Sequence, residues 1–199
     1  EIHTHVAHMS EGDFFGSEQS HVISEAGSVQ IVLETSDGQT TVLREGVALQ
    51  QGEVIDSSVM SRQALRDFLA REMDDAGERD LLFSLHMKAT MMKVSDPIIF
   101  GHGVRTYFAS LFANHGDELT DLGADPDNGF GDVLAKIFGL PEDTQDRFMA
   151  DIETDYENGP GIAMVDSGRG ITNLHVPSDV IIDASMPPMI RDSGQMWNN

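Results

Sequence analysis

Two lysines occupy a short segment that combines positive charge with apolar neighbours. Lys88 and Lys93 lie on either side of Met91 and Met92, just after the apolar run at residues 81–85. A lysine among apolar side chains loses hydration of its charged form, which lowers its pKa toward the range useful for proton transfer. Because most lysines are solvent-exposed, two ordinary surface lysines remain the alternative. Spacing alone therefore makes Lys88 a candidate and no more.

A second pair of ionisable residues encloses an apolar run near the end of the chain. Asp179 and Asp183 lie on either side of the sequence VII at residues 180–182. Carboxylate oxygens are the natural ligands of Mg²⁺ and Mn²⁺, and Mg²⁺ often takes only one or two carboxylates from a protein. With 34 acidic residues in the chain, two solvated acids at a strand end are the alternative.

Three further motifs have a weaker claim to chemistry. His3, His5 and His8 could form a metal triplet, but near a terminus they are more often structural or incidental. The sequence DPDNG at 125–129 lacks the glycine position and terminal glutamate of a calcium loop and predicts a turn. The glycine pairs at 101–103 and 168–170 do not have the spacing of a nucleotide-phosphate cradle.

The composition limits the partners of the chain. A formal net charge of -22 repels phosphate backbones and anionic lipids, so we expect neither nucleic acid nor membrane as a partner. The absence of cysteine excludes disulfides and thiolate sites, and it fits a cytoplasmic location. No apolar run is long enough to span a bilayer, and the first residues lack a basic start followed by an apolar run. We therefore expect neither a membrane-spanning segment nor a signal peptide.

The positioning elements alternate between strand and helix patterns. A hairpin is predicted over 27–45 with its turn at 36–38, and a helix over 58–76 that stops at Gly77. A strand-length run at 81–86 leads into a long helix from Asp96 or Pro97 to Phe112, followed by helices over 130–138 and 142–156 and strands at 162–165 and 180–182. The pattern predicts an α/β fold, with mixed α+β as the alternative, in a single domain over residues 1–199.

Two long stretches of sequence resemble one enzyme family. They read KATMMKVSDPIIFGH at 88–102 and GITNLHVPSDVIIDASMP at 170–187, the second continuing through MIRDSG at 189–194. They closely resemble the monomeric, NADP-dependent isocitrate dehydrogenases of bacteria. The resemblance extends through HVAHMS at 5–10 and GEVIDSSVMS at 52–61 and is looser between about residues 109 and 161.

The resemblance assigns roles to the two candidates. It implies that Lys88 assists proton transfer during oxidative decarboxylation of isocitrate, and that Asp183 binds the Mg²⁺ or Mn²⁺ ion that chelates this substrate. NADP is the implied second cofactor. The implied fold is a layered mixed sheet with flanking helices, of the isocitrate/isopropylmalate dehydrogenase type.

The same resemblance implies an incomplete site. Family members are several times longer, and this chain resembles an internal part of their large second domain. The family's isocitrate-binding Ser/Asn motif, its partner tyrosine, its other metal aspartates and its NADP-binding His and Arg residues have no match here. We therefore expect the isolated chain to be inactive and to need the remainder of the enzyme chain. Any apolar surface left exposed in the isolated chain would favour self-association. The alternative is a stand-alone, non-catalytic module that binds a carboxylic acid or a partner protein.

Overall fold

In the residues that the structure describes, the chain forms helices and two small antiparallel sheets. The computed structural model describes residues 4–85 and 94–162. The described contacts divide into two compact units, one comprising residues 9–61 and the other residues 1–8 together with 62–199. The mixture of helix and antiparallel strand is compatible with the predicted α/β or mixed α+β class. The expectation of a single domain stays a prediction.

The unit of residues 9–61 consists of two strand pairs and one short helix. Its elements are α1 (Phe14–Ser17), β1 (Gln19–Val22), β2 (Gly27–Glu34), β3 (Thr40–Leu49) and β4 (Val54–Ser57). Strand β1 pairs antiparallel with β4, and β2 pairs antiparallel with β3. The Ser17 hydroxyl donates to the Val59 carbonyl at 2.7 Å and accepts from the Val59 N–H at 2.9 Å. These bonds tie α1 to the end of the unit.

The β2–β3 hairpin confirms the prediction for residues 27–45, and β3 extends further than expected. Its turn lies at the predicted Asp37-Gly38, where Gly38 has a φ of +82° that a side chain would strain. The Thr35 hydroxyl donates to the Asp37 carboxylate, and this bond lowers the pKa of Asp37. Residues on both faces of β2 are exposed, including Ile31 at 52% and Leu33 at 48%.

The other unit is helical. Its elements are α2 (Arg62–Glu78), α3 (Ser95–Tyr107), α4 (Ala109–Asp121), a 3-10 turn (Pro126–Asn128), α5 (Phe130–Ile137) and α6 (Glu142–Asn158). The predictions for the last two helices are confirmed, including the end of α6 near Gly159-Pro160. Helix α2 begins later than predicted and continues through Gly77, so the proposed stop there was wrong. A glycine in a helix costs only about 1 kcal/mol relative to alanine, which the buried face of α2 offsets.

The predicted long helix over 96–112 is two helices. Phe108 separates α3 from α4 with φ −93° and ψ 50°, outside the helical region. Its ring is fully buried and stacks on Phe130 with centroids 3.7 Å apart. The Asp155 carboxylate, on α6, accepts hydrogen bonds from Ser110 N (3.0 Å) and Leu111 N (3.1 Å). A cap supplied by α6 thus starts α4 where no local residue signals a start.

Candidate functional site

The two predicted site residues, Lys88 and Asp183, lie outside the described residues, as do Lys93 and Asp179. The described part of the chain reaches residue 85, three residues before Lys88, and later residue 162, which is 21 residues before Asp183. Residues 81–85 precede the lysine segment, and residues 161–162 precede the segment that contains Asp183. The geometry of these approaches is therefore the structural information that bears on the site.

The two approaches run side by side in the same direction. Phe83 and Ile162 form a parallel bridge, and the Phe83 N–H donates to the Gly161 carbonyl at 2.8 Å. The expected strand at 81–86 is reduced to this bridge in the residues that are described. Chemistry in α/β proteins collects beyond the carboxyl ends of parallel strands. The bridge directs both approaches toward the same side.

Gly103 on helix α3 makes room for Leu85, which precedes Lys88 in the chain. A Cβ placed on Gly103 would lie 2.5 Å from Cδ2 of Leu85, closer than side-chain atoms pack. Leu85 is three residues before Lys88 in the chain. Only glycine at position 103 lets Leu85 lie this close to the helix without rearrangement.

Gly101, the other glycine of the pair at 101–103, leaves room for an ion pair. Arg105 Nη1 lies 2.9 Å from Asp127 Oδ1, and a Cβ on Gly101 would lie 1.8 Å from that same oxygen. Asp127 belongs to the predicted turn at 125–129, where Asp125 accepts a hydrogen bond from the Asp127 N–H at 3.0 Å. The glycines at 101 and 103 thus serve helix packing, a role their spacing alone did not reveal.

His102, between these glycines, lies in surroundings that disfavour its protonated form. Its Nδ1 is buried and has no hydrogen-bond partner within residues 4–85 and 94–162. Burial lowers the pKa of His102, and the charges of Arg105 and Arg66 lower it further. A neutral imidazole with a buried nitrogen is a weak candidate for proton transfer with solvent.

The described helices contain no membrane span: none within residues 4–85 or 94–162 is both long and apolar enough. Two parallel segments, which contain Phe83 and Ile162, thus lie next to each other in the helical unit, and the first of them contacts helix α3 through Leu85.

Comparison with known proteins identifies the family. The model of the family described as monomeric isocitrate dehydrogenase matches residues 1–199. The chain is 54% identical over 194 residues to "Isocitrate dehydrogenase [NADP]" of Azotobacter vinelandii, covering 98% of the chain and 26% of that protein. It is 53% identical to "Isocitrate dehydrogenase [NADP] 2" of Colwellia maris, covering 99% of the chain and 26% of that protein. The chain belongs to the monomeric isocitrate dehydrogenase family, and it spans about a quarter of the length of these relatives.

Proposed function

We propose that this chain is a segment of an enzyme that oxidises isocitrate with NADP, releasing 2-oxoglutarate and CO₂. The observation that supports this most is the sequence identity to proteins named as NADP isocitrate dehydrogenases, which is 54% and 50% over 98% of this chain for two of them. We also propose that the chain has the layered mixed-sheet fold, that it is part of one larger domain, and that its location is cytoplasmic.

In this reaction a hydride passes from C2 of isocitrate to the nicotinamide ring, and the C2 hydroxyl loses its proton. The bond to the carboxylate on C3 then breaks, CO₂ leaves, and its electron pair forms an enolate that must be reprotonated. Lys88 is proposed to carry a proton in this sequence, a role that requires an amine whose neutral form is accessible. Apolar neighbours such as Met91 and Met92 support that requirement.

Asp183 is proposed to contribute one carboxylate to a divalent ion shared with the substrate. Bound Mg²⁺ or Mn²⁺ would supply Lewis-acid stabilisation of negative charge on the substrate oxygens. Carboxylate is the donor type that both ions prefer, and both ions commonly leave positions for substrate and water. Lys88 follows Phe83 by five residues and Asp183 follows Ile162 by 21 residues, and we propose that the chain beyond this parallel bridge brings the two side chains to one site.

The remaining groups of the site are proposed to come from the rest of the enzyme chain. The net charge of -22 opposes capture of a tricarboxylate, so cations outside this segment must contribute to its binding. We therefore expect no NADPH from the isolated 199-residue chain with isocitrate, NADP and Mn²⁺. A rate proportional to chain concentration would contradict this expectation.

The decisive experiment uses the longer enzyme that contains this segment, with a matched control for each residue. Lys88→Ala should lower kcat by about 10²- to 10⁴-fold, the usual contribution of a proton-transfer residue, whereas Lys93→Ala in the same motif should not. Asp183→Asn should raise the Mn²⁺ concentration needed for half activity, whereas Asp179→Asn should leave it near that of the wild type.

The opposite pattern would refute the assignments. Loss of activity in Lys93→Ala with Lys88→Ala unaffected would show that the proton transfer had been assigned to the wrong lysine. An unaltered Mn²⁺ requirement in Asp183→Asn would remove that carboxylate from the metal site. A longer chain that binds isocitrate without turnover would instead support the non-catalytic module.

A further inference from the structure

Three potential metal ligands from two distant parts of the sequence meet on helix α2. Glu72 and Asp75 lie on consecutive turns of the helix, and His5 reaches them from the N-terminal segment of the same unit. Nε2 of His5 is 3.7 Å from Oε2 of Glu72, and one donor atom from each of the three residues lies within 4.8 Å of the others. In the described part of the chain this is the group of three whose geometry suits a metal ion.

We propose that His5, Glu72 and Asp75 bind a divalent cation of the Zn²⁺ class. The donor set is one imidazole nitrogen and two carboxylate oxygens, which suits Zn²⁺, Co²⁺ or Ni²⁺ better than the all-oxygen preference of Mg²⁺. This site is separate from the proposed function, since it uses neither Lys88 nor Asp183. It also differs from the histidine triplet suggested by the sequence, because in the described residues His5 is grouped with two carboxylates of helix α2.

The distances suit a tetrahedral ion after small side-chain movements. Bonds of about 2.0 to 2.1 Å separate neighbouring ligand atoms by roughly 3.3 Å in tetrahedral geometry. The His5–Glu72 pair at 3.7 Å is close to that separation. The exposed fractions of the three side chains, 47% for His5, 25% for Glu72 and 30% for Asp75, allow this adjustment and leave a side open for water.

Helix α2 presents the carboxylates in a fixed relation to each other. Residues three apart on a helix lie about 5–6 Å apart at Cβ and project to the same side. The adjacent face of α2 is anchored in the core by Leu69 and Met73, which are 2% and 6% exposed. A helix held in this way fixes the backbone positions of Glu72 and Asp75 relative to each other, so this part of the site is preorganised.

Existing ion pairs compete with the cation without blocking it. Arg79 Nε contacts Asp75 through Oδ1 at 2.8 Å, and the second carboxylate oxygen remains for a metal. The His5–Glu72 contact attracts only if His5 is protonated, whereas a metal requires the neutral imidazole. The net charge of -22 favours accumulation of cations. A metal and a proton thus compete for His5.

Calorimetric titration of the 199-residue chain with Zn²⁺, and visible absorption on titration with Co²⁺, test the proposal. One ion should bind per chain, and His5→Ala should weaken binding at least tenfold. The matched control is His21→Ala, which removes another exposed histidine and should leave binding unchanged. Glu72→Gln should weaken binding, whereas Asp74→Asn, which changes an exposed acid on the same helix, should not.

Two further measurements separate this site from others. Asp183→Asn should leave Zn²⁺ affinity unchanged, because Asp183 is not one of the three proposed ligands. Circular dichroism without metal should show His5→Ala as folded as the parent, because His5 is exposed. Equal Zn²⁺ affinity in the parent and in His5→Ala, or no binding to the folded parent, would overturn the proposal.

Discussion

Replacing Asp155 with alanine should destabilise the helical unit. Asp155 lies on helix α6, but its carboxylate caps the start of helix α4. The carboxylate is 6% exposed and accepts from the N–H groups of Ser110 and Leu111 at the start of α4. Alanine removes both acceptors. The Leu111 N–H, in a residue with no exposed surface, is then left without its partner.

The expected loss can be assembled from the two bonds. Removing an N-cap side chain costs about 0.5 to 2 kcal/mol, and leaving a buried donor unpaired costs about 1 to 3 kcal/mol. These ranges overlap in what they count, so we expect a loss of about 3 kcal/mol. At about 2 to 4 °C per kcal/mol for a domain of 150 to 250 residues, Tm should fall by about 6 to 12 °C. The Asp155→Asn variant would keep one acceptor oxygen and should lose less.

Thermal and urea unfolding followed by circular dichroism would measure the loss. Glu153→Ala is the matched control, since Glu153 is an exposed acid on the same helix, and it should change stability by less than about 0.5 kcal/mol. A second readout is the pKa of Tyr107, which burial raises most and the charge of Asp155 raises further, so that pKa should fall in Asp155→Ala. If Asp155→Ala proved as stable as Glu153→Ala, the capping role would be refuted.

Three other predictions follow from the described contacts. In urea unfolding, Gly103→Ala should be about 2 kcal/mol less stable than Gly116→Ala. A Cβ at position 103 would collide with Leu85, whereas a Cβ at position 116 meets nothing within 4 Å. Equal stability of the two variants would contradict the tight contact between Gly103 and Leu85. Burial raises the pKa of Tyr107 to about 12 and also raises that of Tyr156, and these are the two tyrosines of the chain, so tyrosinate absorbance should appear at higher pH in the folded than in the urea-unfolded chain. The raised pKa favours the protonated, folded form, so stability should be fully present below about pH 10 and fall as pH rises toward about 12; coincident titrations would refute this. The Leu43 side chain on the β2–β3 hairpin is 61% exposed, so Leu43→Lys should reduce any self-association of the isolated chain measured by light scattering. Thr40→Lys on the same strand is the control and should not reduce it. Equal association of both variants would exclude the hairpin as the contact surface.

The sequence predicted the elements whose signals are local. The β2–β3 hairpin has its turn residues between its strands, and α5 and α6 have clear apolar spacing and breakers at their ends. The division between α3 and α4 has no such signal, because Phe108 suits a helix and the cap of α4 comes from Asp155 on another helix. Long-range capping of this kind cannot be inferred from a window of neighbouring residues.

The candidate site shows the same limit. The motifs that contain Lys88 and Asp183 were recognisable from their resemblance to the family, and the family membership is confirmed. The pairing of Phe83 with Ile162 and the contact of Leu85 with Gly103 depend on the packing of the whole helical unit. The approach of His5 to Glu72 was missed for a similar reason, because local spacing grouped His5 with His3 and His8 and not with residues of helix α2.

The parallel bridge between Phe83 and Ile162 also bears on how the chain folds. Helices α3 to α6 lie between these two residues in sequence, and the packing of α4 against α6 joins segments that are closer in sequence than Phe83 and Ile162. Closing a long flexible loop costs entropy, whereas local helical contacts form quickly and shorten the effective loop. We therefore expect the helices to condense first and the bridge to close late. The segment that leads to Lys88 would then reach its neighbour only after the helical unit has formed.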